Sequence, residues 1–196
     1  MDRSGNCVFY DSTGCLKVYQ KTTGDILTLD EGQHIQERRI LFMGPAKDRF
    51  LFRKNHHCLQ EYIIVHHTPK LSKEYFDEKQ VIEDFCYYRS KGVQTGKAAS
   101  ALNEMKHEYD VLIMTQTGIL RRVNTKTGKS RKFEIDPTGD TFKICFCEFL
   151  SYILITFTRN QLDNIEQVAY VAAIDDSDIK FVNNVYFQTG VGKVFG

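Results

Sequence analysis

The chain has 196 residues, 42% of them hydrophobic and 26% charged, with only three prolines. That length suits one large domain or two small ones with a substantial core, and the composition argues against a long disordered tail. A formal net charge of +1 leaves no strong whole-molecule field, so attraction to nucleic acid or an anionic membrane has to come from a local patch.

The N-terminus, Met1 to Gly5, mixes charged and small residues instead of leading a basic start into an apolar run, which argues against a secretory signal. The most apolar stretches, Ile40 to Met43, Tyr62 to Val65 and Tyr152 to Phe157, fall far short of the about 20 residues of a membrane-spanning helix and read as strands. No Asn-x-Ser/Thr glycosylation acceptor occurs. Cysteines stand at 7, 15, 58, 86, 145 and 147, mostly inside apolar runs, and read as reduced core thiols. Together these features predict a cytoplasmic or nuclear protein without a transmembrane segment.

In chain order, Cys7 to Tyr10, Leu16 to Tyr19 and a third run ending near Leu29 read as a three-stranded meander, with Thr13-Gly14 and Thr23-Gly24 at its turns. The pattern returns at 111 to 133, where Thr117-Gly118 and Thr127-Gly128 are both displaced from the first copy by the same 104 positions (117 − 13 and 127 − 23). A fourth strand is expected in each half, Arg39 to Met43 and Lys143 to Cys147, again offset by 104. Further strands are expected near Phe50 to Arg53, Tyr62 to His66, Ile153 to Thr158, Ala169 to Ala173 and Val182 to Phe187.

Between the halves the pattern changes. Thr68-Pro69 is a helix-start signal, and Leu71, Tyr75, Val81, Ile82 and Phe85 follow at mostly helical spacing up to Gly92. A shorter helix is expected from Lys97 to Lys106, with a loop between the two. The expected organisation is a first β repeat over 1–68, a helical connector over 69–108 and a second β repeat over 109–196. The expected fold class is mainly β, built from internally duplicated antiparallel meanders: two β domains or a partial β-propeller, with a short helical segment between the halves.

A strand, x-Thr-Gly-x-Leu, a second strand and a Thr-Gly closing into a third resembles the blades of WD40-like and quinoprotein-like β-propellers over about a quarter of the chain. The resemblance implies architecture alone. The Trp-Asp dipeptide of WD40 repeats is absent, because the chain has no Trp.

The second meander carries the clearest electrostatic feature. Residues 111 to 133 hold no Asp or Glu but do hold Arg121, Arg122, Lys126, Lys129, Arg131 and Lys132. On a hairpin these six would form a cationic ribbon suited to the phosphates of RNA, DNA or a phosphoinositide, or to another protein. The first copy has Lys17 and Lys21 with Asp25 and Asp30, so the charge is no requirement of the fold. The bland alternative is that the cations blunt an exposed edge strand and keep it soluble.

Other patterns carry less. His56-His57-Cys58 and His66-His67 supply ligand types that zinc accepts, but lie about 26 Å apart along an extended strand, and Cys145 with Cys147 lacks a second ligand pair. Gly92 to Ala98 has three residues between its glycines and an Ala after its Lys, so it misses the phosphate-loop pattern. Gly190-Val191-Gly192 lacks a third glycine in place, and Asp175, Asp176 and Asp178 lack the Glu and glycine of a calcium loop. No nucleophile elbow or metalloprotease motif occurs, so no catalytic residues, metal or cofactor are assigned and a non-enzymatic role is favoured. The expected function is a protein-protein interaction or scaffold module within a larger assembly, its partner another protein or the rest of that complex. The alternatives are binding of nucleic acid or anionic lipid through 120–133, and a domain of an unrecognised enzyme.

Overall fold

The computed structural model describes residues 5–30, 39–43, 48–66, 68–77, 79–89, 109–147, 152–161, 164–174 and 179–189. Among these the chain is mainly β, with fifteen strands in four antiparallel sheets. No helix among the described residues is long and apolar enough to cross a membrane. The chain divides into two compact units, Met1–Gln80 and Val81–Gly196.

The first unit holds two sheets. In one, β1 (Cys7–Tyr10), β2 (Leu16–Tyr19) and β3 (Ile26–Asp30) lie in the order β1-β2-β3. In the other, β4 (Ile40–Met43), β5 (Arg49–Asn55), β6 (Cys58–Val65) and β7 (Thr68–Phe76) lie in sequence order. Alternation along β2 buries Leu16 and Val18, which join Val8, Phe50 and Phe52 in one apolar cluster. Burying each such side chain is worth about 1.5–3 kcal/mol. Tyr10, Leu29, Ile40, Phe42, Tyr62 and Ile64 flank the cluster half-buried.

The second unit also holds two sheets. One is β8 (Ile82–Arg89), β9 (Tyr109–Thr115), β10 (Ile119–Asn124) and β11 (Ser130–Glu134), and the other is β12 (Gly139–Cys147), β13 (Tyr152–Gln161), β14 (Asn164–Ile174) and β15 (Ile179–Thr189). Strand β8 packs on β12. There the Ile144 N–H donates to Asp84 Oδ2 at 2.8 Å and the Tyr88 ring meets Phe146 edge-on at 5.0 Å.

All the strands expected from the sequence fall on strands of the structure, but the helix expected from Thr68 onward does not. Residues 68–76 and 82–89 are β7 and β8. Leu71 and Tyr75 are four apart, but a register shift opposite Glu61 and Tyr62 makes Ser72 an extra residue on β7, so Tyr75 is buried while Leu71 is exposed and their helical spacing does not mark a shared face. Pro69 stands second in β7, an edge strand, where a missing N–H is tolerated. Ile82 and Phe85 are three apart because a register shift between Ile82 and Asp84 inserts Glu83 as an extra residue, so both still point to one face. The expected second helix, 97–106, the loop before it and the glycine-rich Gly92 to Ala98 lie outside the described residues.

The cysteines also depart in part from expectation. Cys58 and Cys86 are buried, and burial pushes the Cys58 thiol above its ordinary range. Cys145 and Cys147 are exposed, because the inward positions of β12 are Phe142 and Ile144.

Gly14, Gly24, Gly118 and Gly128 all have positive φ, between 72° and 89°, so the Thr-Gly pairs do supply the left-handed turn residue. Gly118 is confined as well: a Cβ there would sit 2.0 Å from the Asp136 carbonyl oxygen, whereas one on Gly128 would meet nothing. Gly118→Ala is therefore expected to destabilise the protein by about 3 kcal/mol or more, and Gly128→Ala by about 1 kcal/mol. Urea unfolding of the two variants checks the order.

Asp136 organises the turn into β12. Its Oδ1 accepts from the Thr138 N–H at 2.8 Å and the Thr138 hydroxyl at 2.6 Å, and its Oδ2 pairs with the Arg159 guanidinium. Desolvation raises the Asp136 carboxyl, but the hydrogen bonds from Thr138 and Arg159 outweigh it and hold the group below its ordinary value. A depressed folded value means that its stabilisation is complete above about pH 4 and is lost as pH falls through the folded value. Asp136→Asn should cost about 1–2 kcal/mol at pH 7 and progressively less in acid, a convergence that denaturation at pH 7 and at about pH 3 would show.

Candidate functional site

Hairpin β10–β11 carries the six basic residues. Its tip is built by Asn124, whose Oδ1 accepts from the Lys126 N–H at 3.1 Å, the Thr127 N–H at 2.8 Å and the Thr127 hydroxyl at 2.9 Å. The Gly128 N–H closes on the Asn124 carbonyl at 2.9 Å, with Gly128 at φ +72°. This side-chain turn fixes the tip and leaves Lys126 and Lys129 exposed at it.

The register then distributes the remaining four cations. Arg121 stands directly opposite Lys132, and Arg122 directly opposite Arg131. Successive residues alternate faces, so each face of the hairpin receives one pair. Like charges directly opposite each other destabilise a sheet. The two pairs meet different surroundings.

Arg122 turns back toward its own sheet. Its side chain is only 11% exposed, and its Nε lies 2.5 Å from Oδ2 of Asp110, a carboxylate 1% exposed. Asn124 Nδ2 donates to the other Asp110 oxygen at 2.9 Å, and the guanidinium lies 5.3 Å from the centre of the Tyr88 ring. This ion pair ties β8, β9 and β10 together. Arg121 is half-buried, with its Nε donating to Ser130 Oγ at 2.9 Å. Arg131 and Lys132 are exposed on β11, the edge of the sheet. Lys129, Arg131 and Lys132 form no ion pair among the described residues.

The structure thus brings all six residues onto one hairpin and separates them by role. Lys126, Lys129, Arg131 and Lys132 are presented outward, Arg121 lies between, and Arg122 is held inward. Asp110, its counter-ion, sits one position before the acid-free stretch and is opposite Asn124 in the β9–β10 register. Charge counting over 111–133 misses it; the strand register finds it.

The histidine pairs do not converge. His56 and His57 connect β5 to β6, while His66, at φ +47°, begins the connection at the other end of β6. Nδ1 of His57 lies 3.1 Å from the Asp77 carbonyl and 3.0 Å from that of Gln80. Two acceptors assign that nitrogen the proton and make the ring a structural clamp. Among the described residues no group of three or more His, Cys, Asp and Glu is gathered to hold a metal. Asp175, Asp176, Asp178 and Gly190 to Gly192 lie outside the described residues.

Comparison with protein-family models and with curated proteins finds no match to this chain.

The division of roles has a measurable consequence. Arg122→Ala leaves the Asp110 carboxylate buried without its cation and should cost about 3 kcal/mol or more, whereas Arg131→Ala should change stability by no more than about 0.5 kcal/mol. Urea denaturation of both variants tests the assignment, and equal losses would reject it.

Proposed function

We propose that the chain is a non-enzymatic interaction module and that β10–β11 is its contact surface for an acidic protein partner. The observation that carries this is the placement of like charges. Arg121 faces Lys132, and Arg131 and Lys132 stand exposed on an edge strand. An arrangement that costs the isolated sheet stability is offset when an anionic surface binds it.

Comparison of the two halves supports a functional origin for the charge. Positions 104 residues before Arg122, Lys126, Lys129, Arg131 and Lys132 are Val18, Thr22, Asp25, Leu27 and Thr28. Both hairpins form, so the cations are additions to a turn that folds without them. Lys17, 104 positions before Arg121, is neutralised by Asp11 at 2.7 Å. That contact holds the Asp11 carboxyl far below the usual carboxylate range.

We further infer that the two units are duplicated pairs of sheets, each sheet blade-like in its sequential meander. The supporting features are the 104-residue offset of both Thr-Gly turns, the shared positive φ at all four glycines and the presence of two sheets in each unit. Sequential antiparallel meanders are the unit from which propeller blades are made.

The contact surface is tested with a chain carrying Lys129→Glu, Arg131→Glu and Lys132→Glu, which leaves the Asp110–Arg122 pair intact. Pull-down from whole-cell lysate, with and without nuclease, should show a protein partner that resists nuclease and is lost with the variant. If the variant loses only nuclease-sensitive material, the surface belongs to nucleic acid, and an unchanged set of partners removes the hairpin from consideration.

A further inference from the structure

We propose that the edge of β1 facing away from β2 is a docking site for an extended strand of another polypeptide, with the chemistry that β8 displays on β9. The inference rests on the duplication of the two units and not on the basic hairpin. Strand β9 lies inside its sheet, between β10 and β8. Its counterpart 104 residues earlier is β1, which ends its sheet with no further strand beside it among the described residues.

The backbone of β1 is aligned for such an addition. The Asp11 N–H donates to the Cys15 carbonyl at 3.0 Å, so by antiparallel alternation Cys7 and Phe9 bond to β2 while Val8 turns its N–H and C=O the other way. In the second unit the Thr125 N–H donates to the Tyr109 carbonyl at 3.2 Å. The same alternation there points Leu112, 104 residues after Val8, toward β8. Leu112 is opposite Cys86, Ile113 opposite Phe85 and Val111 opposite Tyr87. An incoming strand antiparallel to β1 would place its matching residues opposite Val8, Phe9 and Cys7.

Side chains define what the strand must carry. On β12, Ile144 donates its N–H to Asp84 and Phe146 receives the Tyr88 ring. Ile40 and Phe42 of β4 stand 104 residues before Ile144 and Phe146 and are half-buried against the cluster that contains Val8. The occupant therefore needs a carboxylate to meet the first of these and an aromatic ring four residues later to meet the second. Neither a basic residue nor a proline guards β1, and its pairing with β2 has no bulge. By contrast β7 carries Pro69, Lys70 and Lys73, and β11 carries Arg131 and Lys132. An unguarded edge is a template for another chain's strand.

A second copy of this chain is a poor source for that strand. In its own unit β8 is buried through Ile82, Phe85, Cys86 and Tyr88 and bonded to β9, and the Tyr88 hydroxyl donates to the Ile174 carbonyl at 2.6 Å. Lending β8 would unpair β9 and undo the packing on β12.

The probe is a fluorescent peptide with the sequence of residues 81–89 carrying Cys86→Ser, titrated into the full chain by anisotropy and mapped by hydrogen exchange. Saturable binding that slows exchange over 5–11 and leaves 109–115 unchanged is the expected result. The same peptide N-methylated at 86, whose amide would point at Val8 of β1, should bind at least about tenfold more weakly. The chain carrying Lys129→Glu, Arg131→Glu and Lys132→Glu should bind the peptide as the unaltered chain does, which separates this site from the hairpin. Absence of saturable binding, equal binding of the N-methylated peptide, or protection at 109–115 instead of 5–11 would overturn the proposal. So would self-association of the chain that the peptide dissolves, because the edge would then belong to a second copy.

Discussion

Every strand pairing among the described residues joins strands consecutive in sequence, and every one is antiparallel. Backbone hydrogen bonding is thereby satisfied locally, and each sheet comes from one contiguous stretch of chain. The turns then carry unusual weight, since a slip of one residue at a turn would reverse which side chains face the core. Gly118 shows how tightly this is set: its missing Cβ makes room for the Asp136 carbonyl, and Asp136 in turn anchors Arg159 of β13. Face-to-face packing is the second layer of organisation. Within the first unit it joins Val8, Leu16 and Val18 to Phe50 and Phe52, and within the second it joins β8 to β12.

Against that background the Asp110–Arg122 pair is an added feature and not a condition of folding. At the positions 104 residues earlier, Asn6 and Val18 are fully buried without an ion pair between them. A desolvated pair gains its attraction only against the cost of taking both charges from water, and the hydrogen bond from Asn124 supplies part of the compensation. What the pair accomplishes is geometric. It commits Arg122 inward over Tyr88, which leaves the outward field of the hairpin to Arg131, Lys132 and the tip.

The turns were the most legible part of the sequence, because a Thr-Gly pair repeated at a constant interval states both the need for positive φ and its recurrence. Strands β5 and β13 were legible as short apolar runs, Phe50 to Phe52 and Tyr152 to Phe157. Strands β7 and β8 were not, because a bulge in each breaks the two-residue period and leaves apolar residues at spacings that also suit a helix. The basic hairpin was legible as charge, but the division of its cations between inward and outward positions depends on register, which a list of residues does not contain. The cysteines of β12 show the same limit: their apolar surroundings in sequence gave no sign that the buried parity was that of Phe142 and Ile144.

The two surfaces proposed here work by opposite physics, and the fold explains why they do not merge. On β11 the cations that would attract an acidic partner also discourage another strand from pairing with the edge, so contact there runs through side chains and weakens as salt screens it. On β1 the absence of such charges leaves the backbone as the recognition element, and a hydrogen-bonded strand with apolar contacts responds little to ionic strength. Leu27 and Thr28 in one hairpin against Arg131 and Lys132 in the other therefore change more than local charge. They leave the edge strand β3 without the cations through which β11 would meet the proposed acidic partner, whereas β1 differs from β9 in having no strand in the place of β8 among the described residues.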